Sequence, residues 1–213
     1  MKSSILKSFF NKCIRGHLLN ENWYVKNNIL YLKSEIETEL LRGVCFNSSG
    51  FSATQFEVIA FIQPLYIPCS YIFLTFSKGI RTLDKKQWWT YDEEQKEQQG
   101  KDLADYINSV EKDFLSKITD AKSFYDFYRK DRKVSVSHFQ AVAYSACNAN
   151  LNESKTEIID FLSFIRKNEN MNQKFIEELY HQSETLLQIL NTGGDPHELM
   201  NEWILETKTA LKL

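Results

Sequence analysis

The period of the apolar residues changes at Trp89, and this change constrains the fold more than any other feature of the chain. Between an N-terminal helical stretch and Trp89 the apolar residues fall in short β-favouring runs; after it they recur at i, i+3 and i+4. Period two places alternate side chains on one face of a strand, whereas period 3.6 gathers them into a stripe along a helix. The expected class is therefore α+β. An N-terminal helix and an antiparallel meander of about five strands fill residues 1–90, and an antiparallel helical bundle or layer fills residues 91–213. The sheet and the helices either form two regions or integrate into one domain.

Within the first region, Ile5, Leu6, Phe9, Phe10, Cys13, Ile14 and Leu18 form the apolar side of a basic amphipathic helix. Lys7, Asn11, Lys12 and Arg15 interrupt it too often for a secretory leader, and the default role is packing on the following sheet rather than lying on a membrane. "WYVKNNILYLK" predicts strands near 23–26 and 29–33 around an Asn27-Asn28 turn. "ELLRGVCFNSSG" predicts a third. The most apolar run, "TQFEVIAFIQPLYIPCSYIFLTF", contains Glu57, Gln63, Pro64 and Pro68, which oppose a membrane-spanning helix. Strands over 55–63 and 71–77, joined by a proline corner, account for it, and no transmembrane segment is expected.

In the second region, apolar stripes predict helices through Leu103–Ile118, Phe124–Tyr128, Phe139–Cys147, Ile158–Ile165, Phe175–Leu190 and Leu199–Leu211. Thr90 with Glu93, and Ser154 with Glu157, have the spacing of capping boxes, with Asp102 an alternative start for the first helix. Ser135 and Ser137 read as helix caps, and Asp195-Pro196 as a helix start.

The net charge of −2 conceals a division: residues 1–90 carry 11 Lys and Arg against 6 Asp and Glu, and residues 91–213 carry 15 against 22. The sign changes within "KKQWWTYDEEQKEQQ". Trp88 and Trp89 fall at this joint, and adjacent residues of an extended segment diverge, so one ring should enter the core and the other serve as an exposed aromatic anchor. A second candidate surface is "YRKDRKVSVSH", where Arg129, Lys130, Arg132 and Lys133 cluster beside Tyr125 and Tyr128.

Cys13, Cys45, Cys69 and Cys147 show no metal-ligand spacing and read as reduced thiols of a cytoplasmic protein. Glu178-x-x-His181, with Glu177 and Glu184 on the same helix, is one element of a di-metal bundle site, but its second element does not occur in the sequence. No cofactor or metal is expected. Ser135 and Ser137 beside His138 do not by themselves make a nucleophile and base. With only 7 glycines and no Gly-rich phosphate loop, close backbone binding of a nucleotide is disfavoured.

These features predict a non-catalytic protein–protein interaction or adaptor protein, of the kind of a bacterial accessory or immunity factor. Its candidate contacts are Trp88, Trp89, Arg129, Lys130, Arg132 and Lys133, and its partner is another protein. Two alternatives stand beside this reading. One is a hydrolase or nuclease with dispersed active-site residues, drawing on Glu57 or His138. The other is a nucleic-acid-binding protein using the basic 129–133 loop.

Overall fold

The computed structural model describes residues 3–26, 29–32, 38–167 and 173–213. It has the expected α+β composition, an N-terminal helix and an antiparallel sheet followed by helices. The chain divides into two compact units. The first comprises residues 1–63 and 73–117, the second residues 64–72 and 118–213.

The first unit opens with α1 (Ser3–Phe9), which runs into a π-helical turn at Phe10–Ile14 and a 3-10 turn at Arg15–His17. Leu6, Phe9, Phe10, Cys13 and Ile14 are all buried, so the apolar side of this helix is consumed by packing. Phe9 meets Phe56 edge-on at 6.2 Å and Tyr91 at 5.3 Å. The six-stranded sheet contains β1 (Trp23–Lys26), β2 (Ile29–Leu32), β3 (Leu40–Ser48), β4 (Gln55–Pro64), β5 (Ser77–Ile80) and β6 (Trp88–Thr90). β1 and β2 pair as predicted; Asn27 and Asn28 lie outside the described residues. Gly43 lets β3 sit closely in the sheet, since a methyl group there would come within 2.5 Å of the Leu30 carbonyl oxygen.

β5 and β6 both pair with β4, in consecutive register: Val58 faces Ile80 and Glu57 faces Trp88. They are thus one edge strand from which residues 81–87 are ejected. This differs from the strand expected at 71–77. The chain instead leaves the sheet at Pro64, rejoins the first unit at Phe73, whose amide donates to the buried Gln63 side chain at 3.3 Å, and re-enters the sheet at Ser77. Leu65, Tyr66 and Ile67 are apolar because they are buried in the second unit, not because they form a hairpin.

The capping box at Thr90 and Glu93 does not form either. The β4 ladder draws Thr90 into β6, and α2 begins at Lys96 rather than at Thr90 or Asp102. Gln99 bridges the intervening turn, donating to the Thr90 carbonyl at 2.9 Å and accepting from the Asp92 amide at 3.1 Å. α2 (Lys96–Asp113) belongs to the first unit and packs on the π-helical turn through Gly100, where a methyl group would lie 2.3 Å from the Cys13 carbonyl oxygen.

The second unit contains α3 (Ala121–Tyr128), a 3-10 turn (Arg129–Val134), α4 (Val136–Asn148), α5 (Ser154–Arg166), α6 (Gln173–Asn191) and α7 (His197–Leu211). α4 is central and contacts α3, α5 and α7. Its small residues permit this approach: Ala141, Ala143, Ser145, Ala146 and Cys147 are all buried. The buried hydroxyls find partners, Tyr66 with Ser145 at 2.5 Å and Tyr144 with Ser183 at 3.1 Å, which offsets the cost of removing them from water. Ser135 caps α4 as expected, accepting from the His138 amide at 3.2 Å. Ser154 does not cap α5; its hydroxyl donates to the carbonyls of Leu151 and Ala146, which frees Glu157 for another role. A capping box forms instead between Asp120 and Ser123.

Candidate functional site

Trp88 and Trp89 point to opposite sides of β6. Trp89 is 8% exposed, and its indole nitrogen donates to the Ile80 carbonyl at 2.8 Å. That bond spans the break between β5 and β6 and closes the neck of the ejected loop. Its ring also packs edge-on against Tyr106 of α2 at 5.9 Å. Trp88 is 37% exposed.

The loop beside Trp88 is held by its own backbone. Thr82 is the organising residue: its amide donates to the Lys86 carbonyl at 3.0 Å, its carbonyl accepts from the Lys85 amide at 2.8 Å, and its hydroxyl accepts from the Lys86 amide at 3.0 Å. Lys85 takes a left-handed conformation with φ of 63°, a strain that the surrounding hydrogen bonds sustain. Lys86 pairs with Asp84 at 2.5 Å and holds the Asp84 carboxyl below its ordinary range. At the tip Leu83 is 79% exposed. With Asp102, Asp105, Tyr106 and Ser109 it lines a cleft of about 240 Å³. A short strand, Lys78 and the ejected loop also blunt this sheet edge against pairing with another strand.

The basic cluster of the second unit is sorted by the threefold period of its 3-10 turn. Arg129 stacks over the Tyr125 ring at 5.3 Å and Arg132 over the Phe139 ring at 5.5 Å. Arg132 also reaches Glu157 and Asp160, each at 3.3 Å. Glu157, which is 5% exposed, accepts a further bond from the Tyr125 hydroxyl at 3.0 Å. Burial first, and this bond second, push the Tyr125 hydroxyl up to about 12. Lys130 and Lys133 remain exposed. The loop expected from the sequence is thus a structured turn in which Arg132 is turned onto protein groups while Arg129, Lys130 and Lys133 are exposed.

The residues considered for catalysis are engaged separately. Glu57, in the first unit, accepts from the Gln87 side chain at 2.5 Å. His138, in the second, has Nδ1 2.9 Å from the capping Ser135 hydroxyl, and burial holds its pKa below the ordinary value. Burial also raises the thiols, Cys45 to about 11 and Cys147 to about 12, which keeps them protonated and weakly nucleophilic near neutrality. Glu177, Glu178, His181 and Glu184 are exposed on α6, and among the described residues no group of three or more His, Cys, Asp or Glu gathers to hold a metal. Nor, among them, is any helix long and apolar enough to cross a membrane.

Sequence reasoning missed Leu83, Thr82 and Tyr106. The available signal was Thr82 and Asp84 around an isolated leucine, a turn composition within a run already assigned to the joint. Comparison with family models, curated proteins and solved structures finds no match for this chain.

Proposed function

We infer that the protein is a non-catalytic interaction or adaptor protein of the cytoplasm, of the accessory or immunity kind, and that its partner is another protein. The observation that carries this reading is the ejected 81–87 loop, which presents Leu83 to solvent beside the exposed Trp88 of β6, from a backbone already ordered by Thr82 and Lys86. Exposing a large apolar side chain on a rigid support forgoes burial energy in the free protein. It also lowers the ordering cost of association, which favours an anchor role.

The test is photocrosslinking from position 83 in native cytoplasm, with position 205 of α7 as an exposed control. A protein captured repeatedly from 83 and not from 205, and reduced about tenfold or more by Trp88→Ala, supports the reading. Equal capture from both positions overturns it.

A further inference from the structure

Residues 64–72 lie between two strands of the sheet in sequence, yet they belong to the second unit. Their neck is fastened within the first unit, where the Ile62 amide donates to the Phe76 carbonyl at 2.9 Å and the Phe73 amide to the Gln63 side chain at 3.3 Å. Pro64 and Pro68 lack the amide hydrogen that strand pairing uses, which favours departure of the chain from the sheet between them. The tip is fastened within the second unit. Leu65 and Tyr66 are fully buried there, and Ile67 is nearly so. The Tyr66 hydroxyl lies 2.5 Å from that of Ser145 in α4, and the Thr207 hydroxyl of α7 donates to the Ile67 carbonyl at 3.2 Å. Ser145 and Thr207 are themselves fully buried.

The dependence this creates runs one way. Withdrawing the segment from the second unit leaves a hole where three buried apolar residues stood, and takes a partner from each of two buried hydroxyls. The first unit loses far less. With the tip released, the chain between Ile62 and Phe76 becomes an unfastened loop joining paired strands, and the closure cost of a loop rises only with the logarithm of its length. We propose that residues 64–72 are a one-way strap: the second unit holds its fold only while the first unit delivers the strap, whereas the first unit keeps its fold when the second opens. Order can thus be withdrawn from α3–α7 while Leu83 and Trp88 keep their support. The reverse state, folded helices with an unfolded sheet, is not populated. The strap does not depend on which partner the Leu83 and Trp88 surface takes.

The test is amide hydrogen exchange, read residue by residue by NMR in the full chain, with two variants that each open one unit. Leu65→Ala/Tyr66→Ala empties the seat of the strap. Protection in α4 and α7 should fall about a hundredfold or more, while that in β3 and β4 changes by less than about twofold. Val44→Asp places a charge at a fully buried position of β3 and unfolds the sheet, and α4 and α7 should lose their protection with it. Unchanged protection of α4 and α7 in either variant overturns the dependence, and loss of β3 and β4 protection in the first overturns its direction. Urea titration of the unsubstituted chain needs no variant. Helices of the second unit losing protection at lower urea than the sheet support the strap, and a sheet that loses protection first overturns it.

Discussion

Two short surface segments of this protein reach the same end by different physics. Residues 81–87 are ordered chiefly by neutral groups, with the Thr82 amide, carbonyl and hydroxyl closing the loop and the Trp89 indole bridging its neck. Residues 129–134 are ordered by charge, with Arg132 drawn onto Glu157 and Asp160 and Arg129 onto an aromatic ring. A hydrogen-bonded loop loses its order in small steps, because each neutral bond contributes little net free energy. A buried ion pair loses it abruptly, because removing one partner strands a charge away from water. The contrast shows that exposed apolar side chains and exposed lysines need different foundations: the first needs a stiff backbone, the second a fixed rotation of the turn.

The contrast breaks first at Arg132. Arg132→Ala leaves the Glu157 carboxylate buried without its cation and should lower stability by about 3 kcal/mol in urea titration. Arg81→Ala, in the 81–87 loop, should stay within about 0.5 kcal/mol. A loss below about 1 kcal/mol for Arg132→Ala would mean that water already reaches the network. Next in size is Trp89→Phe, which keeps a ring in the core but orphans the Ile80 carbonyl. About 1–2 kcal/mol should be lost, and hydrogen exchange should accelerate across 80–89.

Alkaline pH should separate the two segments without mutation. The Tyr125 pKa is raised from 10.0 to about 12 in the folded protein, so the folded state prefers the neutral phenol more strongly than the unfolded state does. Its contribution is full below pH 10 and is lost as pH rises through about 12. Tyr125→Phe should reduce the fall in stability over that range, measured against the variant's own stability at neutral pH. Smaller again is Thr82→Val, which removes the hydroxyl that accepts from the Lys86 amide and should cost about 1 kcal/mol or less, with faster exchange confined to 81–87. Least of all, Trp88→Ala should change stability by less than about 0.5 kcal/mol while weakening partner capture. A large thermal shift for this variant would place Trp88 with the core instead.

The elements themselves were legible because local patterns carry them. β1 and β2 followed from two apolar runs around Asn-Asn, and the cap of α4 from a serine ahead of Phe139. The failures share one cause. Thr90 and Ser154 both have the spacing of a helix cap, but the Gln55 pairing claims one and the Ala146 and Leu151 carbonyls claim the other. Leu65–Ile67 read from the sequence as the proline corner of a hairpin, because a sequence does not show which core an apolar residue enters. The basic cluster was visible as composition. The turning of Arg132 out of that cluster onto the protein was not, since that depends on Glu157, many residues away along the chain.

The sequence by itself determined the periods, and with them the order of sheet before helices and the amphipathic first helix, because apolar spacing acts through neighbours in the chain. Only the tertiary structure decided that one edge strand would be broken by residues 81–87, that Trp89 would bridge the break and Trp88 remain half-exposed, and that Arg132 would turn inward. Those outcomes depend on hydrogen bonds and charges from distant residues, whose free energy exists only once folding has brought the partners within reach.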